Sequence, residues 1–245
     1  MNVMIRTMYI IVLAYFLLGF IAFYFINRKK EAVESRKSWK KTIVYFFIIN
    51  IVFFSIVINP VVFRYFAVII IVAGFFELFK LFRESGYKMT AVYLLSTIVF
   101  AIFSIGFFVF SGMEKGMILF TFMILSIFDS FSQITGETFG RKKLFPKISP
   151  QKTVEGFIGG TIVAIVSALL LKSLISVPAV KAMLLAAGIV AFAFIGDLSK
   201  SYYKRKYNVK DFSNMLPGNG GFLDRFDSLI AGGAWIAMLG LLINV

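Results

Sequence analysis

Eight apolar runs divide the chain: Met8–Ile26, Ile43–Ile58, Val61–Phe79, Ala91–Phe110, Met117–Ile134, Val154–Ile175, Val180–Ile195 and Phe226–Val245. Apolar stretches of about 18–23 residues suffice to cross a bilayer as helices. The pattern therefore predicts an all-α integral membrane protein with about eight transmembrane helices. The second, seventh and eighth runs are short or lie close to charged loops. Met1–Ile26 lacks a small-x-small cleavage site and runs straight into Arg28-Lys29-Lys30. That predicts a retained first span and not a signal peptide.

The polar segments between the runs test the count. Segment 28–41 carries seven Lys/Arg, 80–88 three, 135–152 five and 198–225 six. These are alternate loops, and they hold 21 of the 26 basic residues. The intervening loops hold only Arg6, Arg64, Lys115 and Lys181, with Lys172 near that end of its span. Such asymmetry is the positive-inside pattern. It predicts both termini outside and the four basic loops in the cytoplasm.

Composition narrows the class. The chain is 60% hydrophobic with mean hydropathy +0.89, above the roughly half expected of a soluble domain. With five prolines and no Ser/Gly/Pro-rich tract, residues 1–245 read as a single polytopic domain. The net charge of +14 is accounted for by topology and by contact with anionic headgroups. No nucleic-acid partner is expected. There is no cysteine and no histidine, which excludes disulfide and thiolate chemistry and the commonest general base. Any metal would be held by oxygen, which suits hard cations such as Mg²⁺.

Only 12 residues are acidic, so their placement is informative. Asp129 lies within the fifth run, Asp197 ends the seventh, and Asp224 and Asp227 flank the start of the eighth. Carboxylates at membrane depth are costly and usually face a partner or a water-filled cavity. Under the predicted topology all four lie at one level, at the cytoplasmic ends of their spans. Taken singly, Asp197 and Asp211 also read as ordinary caps or lysine partners. Asp224 and Asp227 are three apart and would share a helix face, with room for a divalent ion between them.

Two loops carry candidate chemistry. In the first, Ser149-Pro150 predicts a helix start, a side-chain cap followed by proline at the first helical position. The free N–H groups beside Lys152 and Thr153 could then bind a phosphate. Gly156, Gly159 and Gly160 form a small-residue face for close helix packing. Ordinary capping and packing explain Ser149 and the glycines as well. They explain the Lys152-Thr153-x-Glu155 cluster less well. In the second loop, Pro217-Gly218-Asn219-Gly220-Gly221 predicts a tight turn that lets backbone approach a ligand. Cations upstream and carboxylates downstream suit phosphoryl or nucleotidyl transfer, where positioning and charge neutralisation dominate.

The residues Ser201-x-x-Lys204-Arg205-x4-Lys210-Asp211, then Leu216-Pro217-Gly218-Asn219-Gly220-Gly221-x-x-Asp224-Arg225-Phe226-Asp227, resemble the signature of the phosphatidate cytidylyltransferase (CDP-diacylglycerol synthase) family. Ser149-Pro150-x-Lys152-Thr153-x-Glu155-Gly156 and Asp129-x6-Gly136-x2-Phe139-Gly140 extend the resemblance, which covers roughly residues 129–230. It divides the chain into N-terminal spans 1–128 and a catalytic region 129–245. Asn219 stands where the family has histidine, and Gln133 and Glu137 stand at its usual aromatic and basic positions.

The resemblance implies a nucleotidyltransferase of phospholipid biosynthesis in a bacterial cytoplasmic membrane. CTP and phosphatidic acid would give CDP-diacylglycerol and pyrophosphate at the cytoplasmic interface. It implies that Asp197, Asp224 and Asp227 hold Mg²⁺, with a second, monovalent cation such as K⁺ sharing the carboxylates. The implied catalytic set is these three with Lys210 and Asp211. Lys204, Arg205 and Lys210 would contact phosphates, Lys152 and Thr153 a lipid or nucleotide phosphate, and Arg225 would orient the carboxylate pair. Ser149, Glu155, Ser201, Asn219, Gly220, Gly221 and Asp129 complete the substrate-binding set, and a homodimer is a candidate assembly. Three alternatives stay open: a related CTP-using lipid enzyme such as a polyprenol kinase, an impaired homologue with a binding or regulatory role, and a transporter using Asp129 and Asp197.

Overall fold

The computed structural model describes residues 3–28, 31–213, 215–216 and 220–243. Among them the chain forms eight α-helices: α1 Val3–Asn27, α2 Ala32–Ile58, α3 Pro60–Glu84, α4 Thr90–Phe110, α5 Lys115–Phe139, α6 Val154–Leu171, α7 Ala179–Lys206 and α8 Leu223–Ile243. Each coincides with one of the apolar runs, although α6 stops at Leu171 and a short 3₁₀ turn, Lys172–Leu174, follows it within the run. Within a bilayer every backbone group must be satisfied inside its own segment, which leaves the helix as the solution for single spans. Six of the described helices, α2 to α7, are long and apolar enough to cross a membrane. α8 begins at Leu223 and carries Asp224, Arg225 and Asp227 in its first turns. The molecule is an all-α, multi-pass membrane protein, with one small hairpin added.

That hairpin corrects the expected start of the sixth span. Ser149–Thr153 is a strand, β2, paired antiparallel with β1, Lys143–Phe145, in the register Lys143↔Thr153 and Phe145↔Ser149. Ser149 therefore caps nothing, and Pro150 lies in the strand instead of a first helical turn. Thr153 is the N-cap of α6: its backbone is extended and its hydroxyl oxygen accepts the Gly156 N–H at 3.1 Å. Both patterns satisfy the sequence rule for a cap. Pairing with β1 decides between them, because it keeps 149–153 extended.

Several helices also run further than their apolar runs. α5 continues to Phe139, α2 begins at Ala32 among basic residues, and α7 continues through Asp197 to Lys206. Ser201, Lys204 and Arg205 thus lie on α7 and not in a loop. The basic last turn Lys204-Arg205-Lys206 favours this extension, since cations complement the exposed carbonyls of a helix C-terminus.

α5 is enclosed over Ile118–Leu125, all of them buried, and it packs against α6 most extensively and also against α1, α2, α7 and α8. The small-residue face of α6 meets α5 as its sequence predicts, with Gly160 against Ser132 and Gly159 against Thr135. α7 and α8 approach equally closely at Gly196, which has no room for a Cβ beside Asp227 and Ala231. The outer helices keep apolar faces outward, for example Leu95, Ile98, Ile102 and Ile105 of α4. Core burial in α5 and α8 against exposed apolar residues in α4 is the distribution expected where lipid replaces water as the outer solvent.

Candidate active site

The acidic residues at the ends of α7 and α8 come together with lysines between them. Lys200, one helical turn after Asp197, places its Nζ 3.0 Å from Asp197 Oδ1 and 2.7 Å from Asp227 Oδ1. The same ammonium donates to the Asp224 carbonyl at 2.9 Å. Lys152, from the end of β2, forms an ion pair with Asp197 Oδ2 and lies 4.5 Å above the Phe194 ring. Asp129 of α5 interacts electrostatically with Asp197, Lys152, Lys200 and Arg225. Three carboxylates and three cations from four elements thus form one cluster, with Asp227 buried, Asp197, Lys152, Lys200 and Arg225 half-buried, and Asp129 exposed. Such groups are tolerated away from water only when mutually paired.

Tyr45 of α2 lies beside it, close to Ser126 and Ser130 of α5 and within electrostatic reach of Asp129 and Arg225.

A second group of bonds stands behind the cluster. Lys204 Nζ lies 2.5 Å from Asp224 Oδ1 and 5.6 Å from the centre of the Phe212 ring. Asp224 Oδ2 accepts the N–H groups of Phe212 and Gly221, each at 2.9 Å. Both oxygens of Asp224 are therefore engaged, and it clamps the connection between α7 and α8. This corrects the expectation of a shared face: Asp224 and Asp227 turn to different partners, Lys204 and Lys200. Gly220 has φ +81°, and a Cβ there would meet the Asp224 carboxylate, so glycine is required by both conformation and space.

Arg205 donates from Nε to the Ile148 carbonyl and from a terminal nitrogen to the Val209 carbonyl, each at 3.1 Å. It ties the β1–β2 turn to the segment after α7. Ser201 is buried on α7, whereas Lys210 and Asp211 are both exposed. Glu155, in the first turn of α6, accepts the N–H groups of Arg141 and Lys142 and fixes the chain where it leaves α5. Beside it lies an open cleft of about 410 Å³ lined by Thr138, Phe139, Gly140, Arg141 and Glu155. Ser149, expected to bind substrate, is half-buried in β2. Asn219 lies outside the described residues, as do Pro217 and Gly218.

Sequence reasoning missed three residues of this region. Lys200 carried a signal, its i,i+3 spacing from Asp197. Glu77, a carboxylate within the third apolar run, carried one as well. Tyr45 carried none, because only the packing of α2 against α5 brings it to Asp129.

Among the described residues there is no group of three or more acidic side chains spaced to enclose a metal ion. Mg²⁺ seldom needs one, since it usually takes one or two carboxylates and keeps waters or substrate phosphates for the rest. Asp227 Oδ2 is buried and has no hydrogen-bond partner among the described residues. A carboxylate oxygen in that state fits a cation ligand. Asp227 alone of the three offers such an oxygen as it stands; both oxygens of Asp197 pair with Lys200 and Lys152 and become available only when those lysines turn away, and those of Asp224 are occupied by Lys204 and two amides.

The chain matches the model of the Cytidylyltransferase family over residues 2–243. It is 45% identical to a phosphatidate cytidylyltransferase of Bacillus subtilis over 104 residues, 42% of this chain and 39% of that protein. It is 38% identical to the phosphatidate cytidylyltransferase of Staphylococcus saprophyticus over 147 residues, 58% of this chain and 56% of that one. The corresponding protein of Haemophilus influenzae is 40% identical over 121 residues, 47% of this chain and 42% of its own length. The chain thus spans about half the length of these relatives, or less.

Proposed function

The chain belongs to the Cytidylyltransferase family, and from that premise we propose that it transfers the cytidylyl group of CTP to phosphatidic acid. The products are CDP-diacylglycerol and pyrophosphate. The observation that carries this reading is the largely enclosed set of charges in which the half-buried Lys152, Lys200 and Asp197 meet the buried Asp227. Charges so placed are positioned to hold phosphates and a counter-cation in surroundings that strengthen both interactions.

A phosphate oxygen of the lipid forms a bond to the α-phosphorus of CTP, the bond from that phosphorus to the bridging oxygen of the β-phosphate breaks, and pyrophosphate leaves. A phosphate monoester is largely ionised at neutral pH, its second pKa being about 6. The nucleophile therefore needs no histidine. Lys152 and Lys200 would hold phosphate oxygens, which requires them to turn from Asp197 and Asp227 toward substrate. Arg225 and Tyr45 would keep Asp129 oriented, and Lys204 with Asp224 would hold the α7–α8 connection against the site. Asp197 and Asp227 would hold Mg²⁺, with a monovalent cation sharing the carboxylates. When bound, Mg²⁺ supplies neutralisation of the nucleotide phosphates.

Eight membrane-crossing helices, both termini outside and the site at the cytoplasmic face of a bacterial membrane complete the proposal. The alternation of basic loops supports this arrangement, and CTP is available on that side. The deciding experiment supplies the full-length protein, in detergent or lipid, with CTP labelled at the α-phosphate, Mg²⁺ and phosphatidic acid. Label in a CDP-lipid with release of pyrophosphate is expected. A phosphorylated lipid with release of CDP would instead identify a kinase of the same membrane class.

A further inference from the structure

Glu77 is 0% exposed in the second half of α3, and its bonds run to the start of α8 and to Ser213 in the connection before it. Oε2 accepts the Leu223 N–H at 2.9 Å, and Oε1 accepts the Phe222 N–H at 3.0 Å and the Ser213 hydroxyl at 2.6 Å. The first N–H groups of a helix have no partner inside it and need one supplied. A local Ser, Thr, Asp or Asn usually does so, but Phe222 precedes α8 and cannot. The cap therefore comes from another helix, and its negative charge also suits the positive end of α8. Gly221 leaves no room for a Cβ, because the first atoms such a carbon would meet belong to the Glu77 carboxylate.

One turn beyond this cap lies Asp227. Its bond to Lys200, and through Lys200 its link to Asp197, depends on the depth and rotation of the first turn of α8. We infer that Glu77 is a positioning residue for cytidylyl transfer: it docks the start of α8 on α3 so that Asp227 meets Lys200 and Asp197. The inference rests on the reading of that cluster as the transfer site. Glu77 touches neither substrate nor cation. It acts through the amides of Phe222 and Leu223 and through Ser213. A one-ångström displacement of a site group is enough to lower turnover by about a hundredfold.

The test uses purified full-length protein, wild type, Glu77→Gln and Glu77→Ala. Turnover is measured per folded molecule, and backbone hydrogen exchange is followed over residues 220–227. Glu77→Ala should lower kcat by about a hundredfold and Glu77→Gln, which keeps one acceptor oxygen, by about tenfold. KM for CTP should stay within about twofold, since no substrate contact is removed. Exchange should quicken at 220–227 and stay unchanged in α5 over 118–128. Unchanged kcat in Glu77→Gln overturns the inference, and so does unchanged exchange at 220–227. Faster exchange throughout the chain in Glu77→Gln also overturns it, since that marks a general structural role. If Glu77→Ala does not fold, Glu77→Gln decides alone. A wild type that labels no lipid sinks the proposed reaction instead, and the exchange data then judge the docking by themselves.

Discussion

Lys200 of α7 reaches across to α8 and places its ammonium 2.7 Å from Asp227 while still 3.0 Å from Asp197, one turn away on its own helix. One cation thus joins two carboxylates on different helices. Removing the lysine takes the ion-pair partner from the buried Asp227 and leaves Asp197 with Lys152 alone.

Lys200→Met should therefore be among the most damaging single changes. Breaking a buried pair by deleting one partner costs about 3–5 kcal/mol. A clear fall in the denaturation midpoint in detergent is expected, together with loss of lipid labelling. Lys200→Arg, which keeps the charge, should recover most of the stability.

Asp224→Asn and Asp227→Asn should part company. Asp224 accepts two backbone N–H groups and faces Lys204, so an amide there turns a donor toward donors. It should lose about 2–3 kcal/mol of stability. Asp227→Asn keeps the shape and an acceptor oxygen for Lys200, and should fold while losing labelling by at least about a hundredfold. Equal stability of the two variants would contradict the different roles assigned to these carboxylates.

Chelation should remove lipid labelling and Mg²⁺ should restore it. In Asp197→Asn the Mg²⁺ concentration for half-maximal rate should rise by about tenfold or more, since one of a few charged ligands is lost. An unchanged Mg²⁺ dependence would remove Asp197 from the metal site.

Thr153→Val tests the corrected start of α6. Losing the side-chain acceptor for the Gly156 N–H should cost about 1 kcal/mol, read as a lowered denaturation midpoint. Ser149→Ala should change it little, because that residue caps no helix.

Asn219→His should leave kcat within about threefold, because an ionised phosphate nucleophile has no proton for an imidazole to remove. A large gain would mean that the native turn limits the reaction.

Hydropathy along the chain is enough to mark a helical membrane protein and to locate its helices, and the scarcity of acidic residues is enough to mark the carboxylates and cations to suspect. Hydropathy reports whether a segment prefers lipid to water, and twenty apolar residues in a row leave the backbone one way to satisfy itself. The alternation of Lys/Arg between loops is likewise a local count. The same measure ended the seventh span at Ile195 and the fifth at Ile134, because charged residues follow. It cannot see that Asp197, Lys200, Lys204 and Asp224 neutralise one another across α7 and α8, which is what lets α7 run on to Lys206. Tertiary structure decided that Ser149–Thr153 is a strand, since a partner strand outweighed a valid capping signal. It decided that Asp224 clamps a loop while Asp227 keeps a free oxygen, and that the cap of α8 comes from Glu77 on α3. Each of those outcomes depends on groups far apart in the chain becoming neighbours, and no spacing along one segment encodes that.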